Sequence, residues 1–478
     1  MASTQVRSVK VGVLAAISEV DPRKAVDYVS GLVLDQVFES PYAAVAGQPT
    51  AEARLFEPLR SEDGNKGRQY SAAIRPGIFF SDGTPLTPEL AARSLRGSSV
   101  LADKATVEVR GDRVWFTLSA SNPRFELTLT QGGCAIVFDH GQQLFGTGPY
   151  MFAERPNVRQ LQLAPRVQLV RNPHHRAKAG VDEIEFHVHL PENDGTPRAL
   201  VEALRSGSVD LTTALSAADL VTWKIDRVAP LTKPSNSTGF LYLNTARRPL
   251  DDARARRGIA ATIDRFEVSA KSYERNPAAF VATAALPPSM RNGSGMIPMQ
   301  SDDGAQLIRE SGLAGARLSL LVPWAPRPYL PKPLIVAQLI QQRLGDAGVT
   351  ISLIETKNGD DYFNALNDGR FDLALGGWIA DTADPADFFD ALLSSHAVGN
   401  INFANHSRWA DAATDALLER FRADPTEAHR AEIERVIAEE VPLLPLVYGQ
   451  SCVAHGRHVR NVTLGPTGSL SLATFTVT

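Results

Sequence analysis

Leu334-Ile335-Val336-Ala337-Gln338-Leu339-Ile340-Gln341-Gln342-Arg343-Leu344-Gly345-Asp346-Ala347-Gly348-Val349-Thr350-Ile351-Ser352-Leu353 reads as one helix, a glycine-punctuated turn and one strand. Val336, Leu339, Ile340 and Leu344 recur at helical spacing and share one side. Gly345 and Gly348 interrupt the pattern, and Val349, Ile351 and Leu353 then alternate with the period of a strand. The same grammar extends in both directions. Downstream, Tyr362 to Leu366 is expected as a helix and Phe371 to Leu375 as a buried strand. Helices follow at about 410–423 and 426–440, and then an apolar extended run, Val441 to Tyr448. Upstream, Val9 to Val13 opens as a strand and 27–38 has helical spacing. Arg113 to Leu118 is a strand after the turn pair Gly111-Asp112. Ile184, Phe186, Val188 and Leu190 alternate with Glu185, His187 and His189. Pro197 starts a helix, with Thr196 as its expected N-cap and Gly207 closing it, and Val209 to Leu211 restarts a strand. Strands alternating with helices predict α/β lobes. The polar stretch Lys233-Pro234-Ser235-Asn236-Ser237 marks a breakpoint, and the last extended segment is expected to return to the first lobe. Two lobes crossed twice by the chain form a hinge with a cleft between them.

Composition narrows the function. Of 478 residues, 44% are hydrophobic and 21% charged, with a formal net charge of −4 from 49 basic and 53 acidic residues. There is no basic excess for nucleic acid to meet. No apolar run approaches the roughly 20 residues that span a bilayer. Cys134 and Cys452 have no metal-ligand spacing and read as two separate buried thiols. Val11 to Ile17 is too short for a signal core and reads as a strand, so either a signal has been removed or the chain stays in the cytoplasm.

Several segments resemble one family. They are Phe80-Ser81-Asp82-Gly83-Thr84-Pro85-Leu86-Thr87, Gly146-Thr147-Gly148-Pro149-Tyr150, Leu169-Val170-Arg171-Asn172-Pro173 and Val181-Asp182-Glu183-Ile184-Glu185-Phe186. Tyr242-Leu243-Asn244-Thr245, Leu250 to Arg256, and Gly377-Trp378-Ile379-Ala380-Asp381 with Asp384-Pro385 complete the series. In order and spacing the chain resembles the peptide/nickel solute-binding proteins of bacterial ABC importers, the dipeptide- and oligopeptide-binding group. The resemblance implies a class II periplasmic-binding-protein-like fold of the peptide-binding type. The implied division is lobe I at 1–238, lobe II at 239–447 and a return to lobe I at 448–478. The stretch from Ala92 to Phe145 is shorter than in that family, which implies a reduced extra subdomain at about 45–145.

A zwitterionic peptide calls for two opposite anchors: a carboxylate for its ammonium and an arginine for its carboxylate. Asp381 matches the family's ammonium-binding aspartate, and Arg327 in Arg327-Pro328-Tyr329 matches its carboxylate-binding arginine. The resemblance carries Tyr329, Gly377, Trp378 and Ile379 as further ligand contacts. Against these stand blander readings: a loop arginine, a turn aspartate and a core tryptophan. His187 and His189 share a solvent-facing strand side and Asp384 caps a helix. Arg254, Arg256 and Arg257 read as a solvated helix start. No metal, cofactor or catalytic constellation is expected. The resemblance implies a monomeric binder in the cell envelope that serves an ABC permease. The alternatives are a cytoplasmic relative that senses a ligand, or one that acts as an enzyme on a peptide-like intermediate.

Overall fold

The computed structural model describes residues 7–478 apart from 26, 46–47, 65, 141–142, 155–160, 162, 193–195, 274–276, 292–303, 381, 401–402 and 466–467. The chain divides into two compact units. One comprises Met1–Ala46, Thr50–Lys233 and Ser451–Thr478, and the other Gly47–Pro49 and Pro234–Gln450.

In the first unit, β1 (Ser8–Val13), β2 (Tyr150–Phe152), β3 (Arg166–Arg171), β4 (Glu183–Val188) and β5 (Leu211–Thr212) form a sheet in the order β2-β3-β4-β1-β5. β1 runs parallel to β4 and β5, while β3 is antiparallel to β2 and β4. Val9, Val11, Leu169, Ile184 and Phe186 turn to one buried face, as strand alternation requires. Helix α1 (Arg198–Ser206) buries Leu200, Val201 and Leu204. It ends at Gly207, whose φ of +77° is open to glycine at little cost. Its N-cap is Pro197 rather than the expected Thr196, and no side chain caps it. The strand expected to reach Leu190 stops at Val188, leaving Leu190 exposed. A separate four-stranded sheet of Arg60–Ser61, Gln69–Ala73, Arg113–Leu118 and Ala105–Arg110 covers an aromatic core of Phe56, Phe80, Phe116 and Phe125.

Two of the sequence motifs are structural here. Buried Glu39 accepts from Thr147 Oγ1 at 3.0 Å and from both terminal nitrogens of Arg176 at 2.8 and 2.7 Å. Burial alone would raise this carboxyl, but hydrogen bonding from His175 and Arg176 and the charges of Arg176 and Arg54 outweigh it and hold the group at about 2. A Cβ at Gly146 would sit 2.0 Å from the Val37 carbonyl oxygen, so only glycine fits that turn. Asn172 donates to the Gly148 carbonyl at 2.8 Å, tying one motif to the other.

β6 (Val228–Leu243) passes from the first unit into the second. There it pairs antiparallel with β9 (Leu373–Ile379), which is parallel to β7 (Arg317–Val322), itself parallel to β8 (Thr350–Glu355). β10 (Leu443–Gly456) lies beside β6 and continues into the first unit, where Ala454 and His455 pair with β5. Both faces of the second unit's sheet are covered. Leu241, Leu243, Leu320 and Leu375 enter one core, while Phe240, Tyr242, Leu321 and Ala374 enter another. This double cover explains the near-continuous apolar runs.

Helix α2 (Ala253–Thr262) corrects one expectation. Arg256 is not solvated: it is 2% exposed and donates to the carbonyls of Leu250, Asp251 and Glu440. It sits on the same inward side as Ala255 and Ile259, and three carbonyls replace water around its charge. Helix α3 (Pro333–Asp346) starts with proline at its first position and buries Val336, Leu339, Ile340 and Leu344. α4 (Gly359–Asp368) is capped by Asn358, and α5 (Pro385–Leu393) by Asp384, which accepts from Ala386 N at 2.9 Å. Cys134 and Cys452 are free and buried. Among the described residues no helix is long and apolar enough to cross a membrane.

Candidate functional site

The second unit builds its site from the loop after β7, the start of α4 and the end of β9. The loop folds back on itself: Arg327 N donates to Leu330 O at 3.0 Å, and Leu330 N returns to Arg327 O at 2.9 Å. Pro328 and Tyr329 occupy the corner, and Gln450 N of β10 donates to the Pro328 carbonyl at 3.2 Å. The turn is therefore pinned to the sheet at its tip.

Gly377 explains how Tyr329 fits. A Cβ at that position would lie 2.4 Å from Tyr329 Cδ2 and 2.6 Å from the Thr238 carbonyl oxygen. Only a bare backbone lets the ring lie against β9. Burial raises the Tyr329 phenol, with the nearby Arg327 opposing. The buried strand expected at 371–375 runs instead from Leu373 through Ile379, glycines included. The rings of Tyr242 and Tyr329 and the Tyr362 hydroxyl fill the space beside Gly376 and Gly377.

Arg327 is held by aromatic rings. Its guanidinium carbon lies 4.0 Å from the Trp324 ring centre and 5.6 Å from that of Phe363. Such stacking favours the cation and fixes its plane. Trp324 meets Tyr362 and Phe363 at 5.7 and 5.9 Å, and Tyr362 donates to the Leu375 carbonyl at 2.7 Å. That bond anchors α4 on β9 and so places Phe363.

The guanidinium is not satisfied. Nε and Nη2 of Arg327 are buried and have no hydrogen-bond partner among the described residues. These two atoms form one edge of the fork. On Arg23 that edge grips Asp21 at 2.8 and 2.7 Å, and on Arg343 it grips Glu267 at 2.8 and 2.6 Å. Arg327 presents the same two-pronged donor with no acceptor among the described residues.

The expected site residues are placed unequally. Arg327, Tyr329 and Gly377 come together in the second unit. Trp378 is half-buried on the opposite side of β9 from Gly377, against the core cluster that contains Phe240 and Tyr242. Ile379 is 43% exposed at the strand's end. Asp381 lies outside the described residues. Just before it, Asn236 donates to the Ala380 carbonyl at 2.5 Å and accepts, through its own carbonyl, from Ala380 N at 3.0 Å. Trp324 and Phe363 are members of the site that sequence reading gave no role. The available signal was Tyr362-Phe363: neighbours on a helix point about 100° apart, and here Tyr362 is buried while Phe363 is left exposed. No group of three or more metal-ligating side chains occurs among the described residues.

The sheet order and the pair of crossing strands define an α/β binding-protein architecture, and solved structures agree. The fold matches HbpA2 from Haemophilus parasuis with a TM-score of 0.85 at 20% identity, covering 98% of this chain and 100% of that one. It also matches a dipeptide-binding protein from Pseudoalteromonas sp. SM9913 in complex with Met-Leu, with a TM-score of 0.73 at 18% identity over 99% and 100%. Residues 59–400 match the family model of bacterial extracellular solute-binding proteins, family 5, and the chain belongs to that family. Among named relatives, it is 26% identical over 340 residues to the probable ABC transporter periplasmic-binding protein SapA of Escherichia coli, covering 70% of this chain. It is 23% identical over 341 residues to di/tripeptide-binding protein 1 of Pseudomonas aeruginosa, covering 69% of this chain. The matches span 59% and 60% of those relatives' lengths.

Proposed function

We propose that this protein is a non-catalytic solute-binding component that captures a short peptide or peptide-like molecule in the cell envelope for uptake by an ABC permease. The open fork of Arg327 carries this reading. A buried cation with two unused donors is costly until an anion pairs with it, and a planar carboxylate matches both donors at once. Family membership supports the transport role, and the relatives named for di- and tripeptides support the ligand class. Asp381 is assigned the ligand's ammonium; the residue before it in sequence, Ala380, has its carbonyl held by Asn236. Tyr329 and Gly377 shape the wall beside the carboxylate, and Trp378 and Ile379 complete the contact set.

Calorimetric titration of dipeptides into the purified chain tests this reading. Binding by the native protein, lost in both Arg327→Ala and Asp381→Ala, is the expected result. No binding by the native protein, or full binding by both variants, would overturn it.

A further inference from the structure

A cavity of about 300 Å³ opens beside the arginine clamp. Nine of its twelve lining residues are apolar, among them Trp324, Pro326, Pro333, Leu334 and Ile335. Leu334 and Ile335 stand on the first turn of α3 and are 39% and 44% exposed. Large aliphatic side chains left open around a concave space are groups without an apolar partner. Lys332, Glu355 and Thr356 are the polar residues of the lining.

Trp324 joins this cavity to the fork, because it lines the cavity and also stacks on Arg327 at 4.0 Å. In the last residue of a peptide the side chain branches from the carbon that carries the carboxylate. A carboxylate on Nε and Nη2 therefore brings a side chain within one residue's reach of the Trp324 wall. The cavity also lies at the C-terminal ends of the parallel strands β7 and β8, through Val322 and Glu355, where open α/β sheets place ligand contacts.

We infer that this cavity is the specificity pocket for the carboxyl-terminal residue of the ligand, and that it selects a branched or aromatic apolar side chain. The inference rests on the peptide reading given above. Burying such a side chain against Trp324, Leu334 and Ile335 removes apolar surface from water on both partners.

The test compares Ala-Leu, Ala-Phe, Ala-Gly and Ala-Asp by calorimetry on the native protein and on Ile335→Asp. Ile335 is exposed enough for the substitution to leave folding intact, which a thermal melt verifies. The native protein is expected to bind Ala-Leu and Ala-Phe about tenfold or more tightly than Ala-Gly, and Ala-Asp more weakly still. Ile335→Asp is expected to narrow the Ala-Leu to Ala-Gly ratio below about threefold. Equal binding of Ala-Leu and Ala-Gly, or an unchanged ratio in Ile335→Asp, overturns the inference and leaves the peptide reading standing. Failure of all four dipeptides to bind overturns both.

Discussion

Arg176 in the first unit and Arg327 in the second are both drawn into the protein, and they end in opposite states. Arg176 is closed: its two terminal nitrogens grip Glu39, which also takes Thr147. Arg327 is open: two aromatic rings fix its plane, and one edge of its fork has no acceptor among the described residues. A closed pair ties chain segments together. A buried fork without an acceptor costs stability. The difference is why Arg327 and not Arg176 is proposed as the ligand anchor.

The sharpest way to break this comparison is to delete both arginine sites. Arg327→Ala is expected to weaken dipeptide binding by about 3 kcal/mol or more, roughly a hundredfold, in calorimetry. Its unfolding free energy in urea should stay within about 1 kcal/mol of the native value, since the fork has no acceptor among the described residues to leave unpaired. Glu39→Gln should do the reverse and lower stability by about 3 kcal/mol, because Arg176 then keeps its charge without a counter-ion. The pH dependence carries the same sign. The folded carboxyl of Glu39 sits at about 2, below its unfolded value of about 4.3. Its contribution is therefore complete above about pH 5 and is lost as pH falls toward 2. Denaturant midpoints between pH 2 and 6 should show this slope in the native protein and a shallower one in Glu39→Gln.

Smaller substitutions refine the second unit. Gly377→Ala pushes a methyl into the Tyr329 ring, and should cost about 1–3 kcal/mol of stability and weaken dipeptide binding. Equal stability by thermal melt would mean that Tyr329 does not lie against β9. Tyr242→Phe is the mildest. The Tyr242 hydroxyl is fully buried and has no hydrogen-bond partner among the described residues. Removing it should leave stability unchanged or raise it by up to about 1 kcal/mol in urea titration.

Much of the second unit was legible because its helices and strands carry clean periods. Val336, Leu339, Ile340 and Leu344 do face inward on α3. The end of β9 was not, because Gly376-Gly377 looks like punctuation unless the tyrosines that fill the space beside it are known. Arg256 looked solvated because three of its partners are backbone carbonyls, which leave no trace in side-chain spacing, and the fourth is the carboxylate of distant Glu440. Arg327 and Tyr329 were reached through family resemblance. The clamp itself was not, since Trp324 and Phe363 are 39 residues apart and meet only when α4 packs on β9. The open fork is a property of three-dimensional surroundings, and no local pattern encodes it.

The carboxylate of the ligand is the point on which the fork's role turns. Calorimetry of one dipeptide and its C-terminal amide, on the native protein and on Arg327→Ala, measures it directly. The amide should bind the native protein at least about fiftyfold more weakly than the free acid, and the two should bind Arg327→Ala alike. Equal affinity of acid and amide for the native protein would contradict the assignment of Arg327 as the carboxylate anchor.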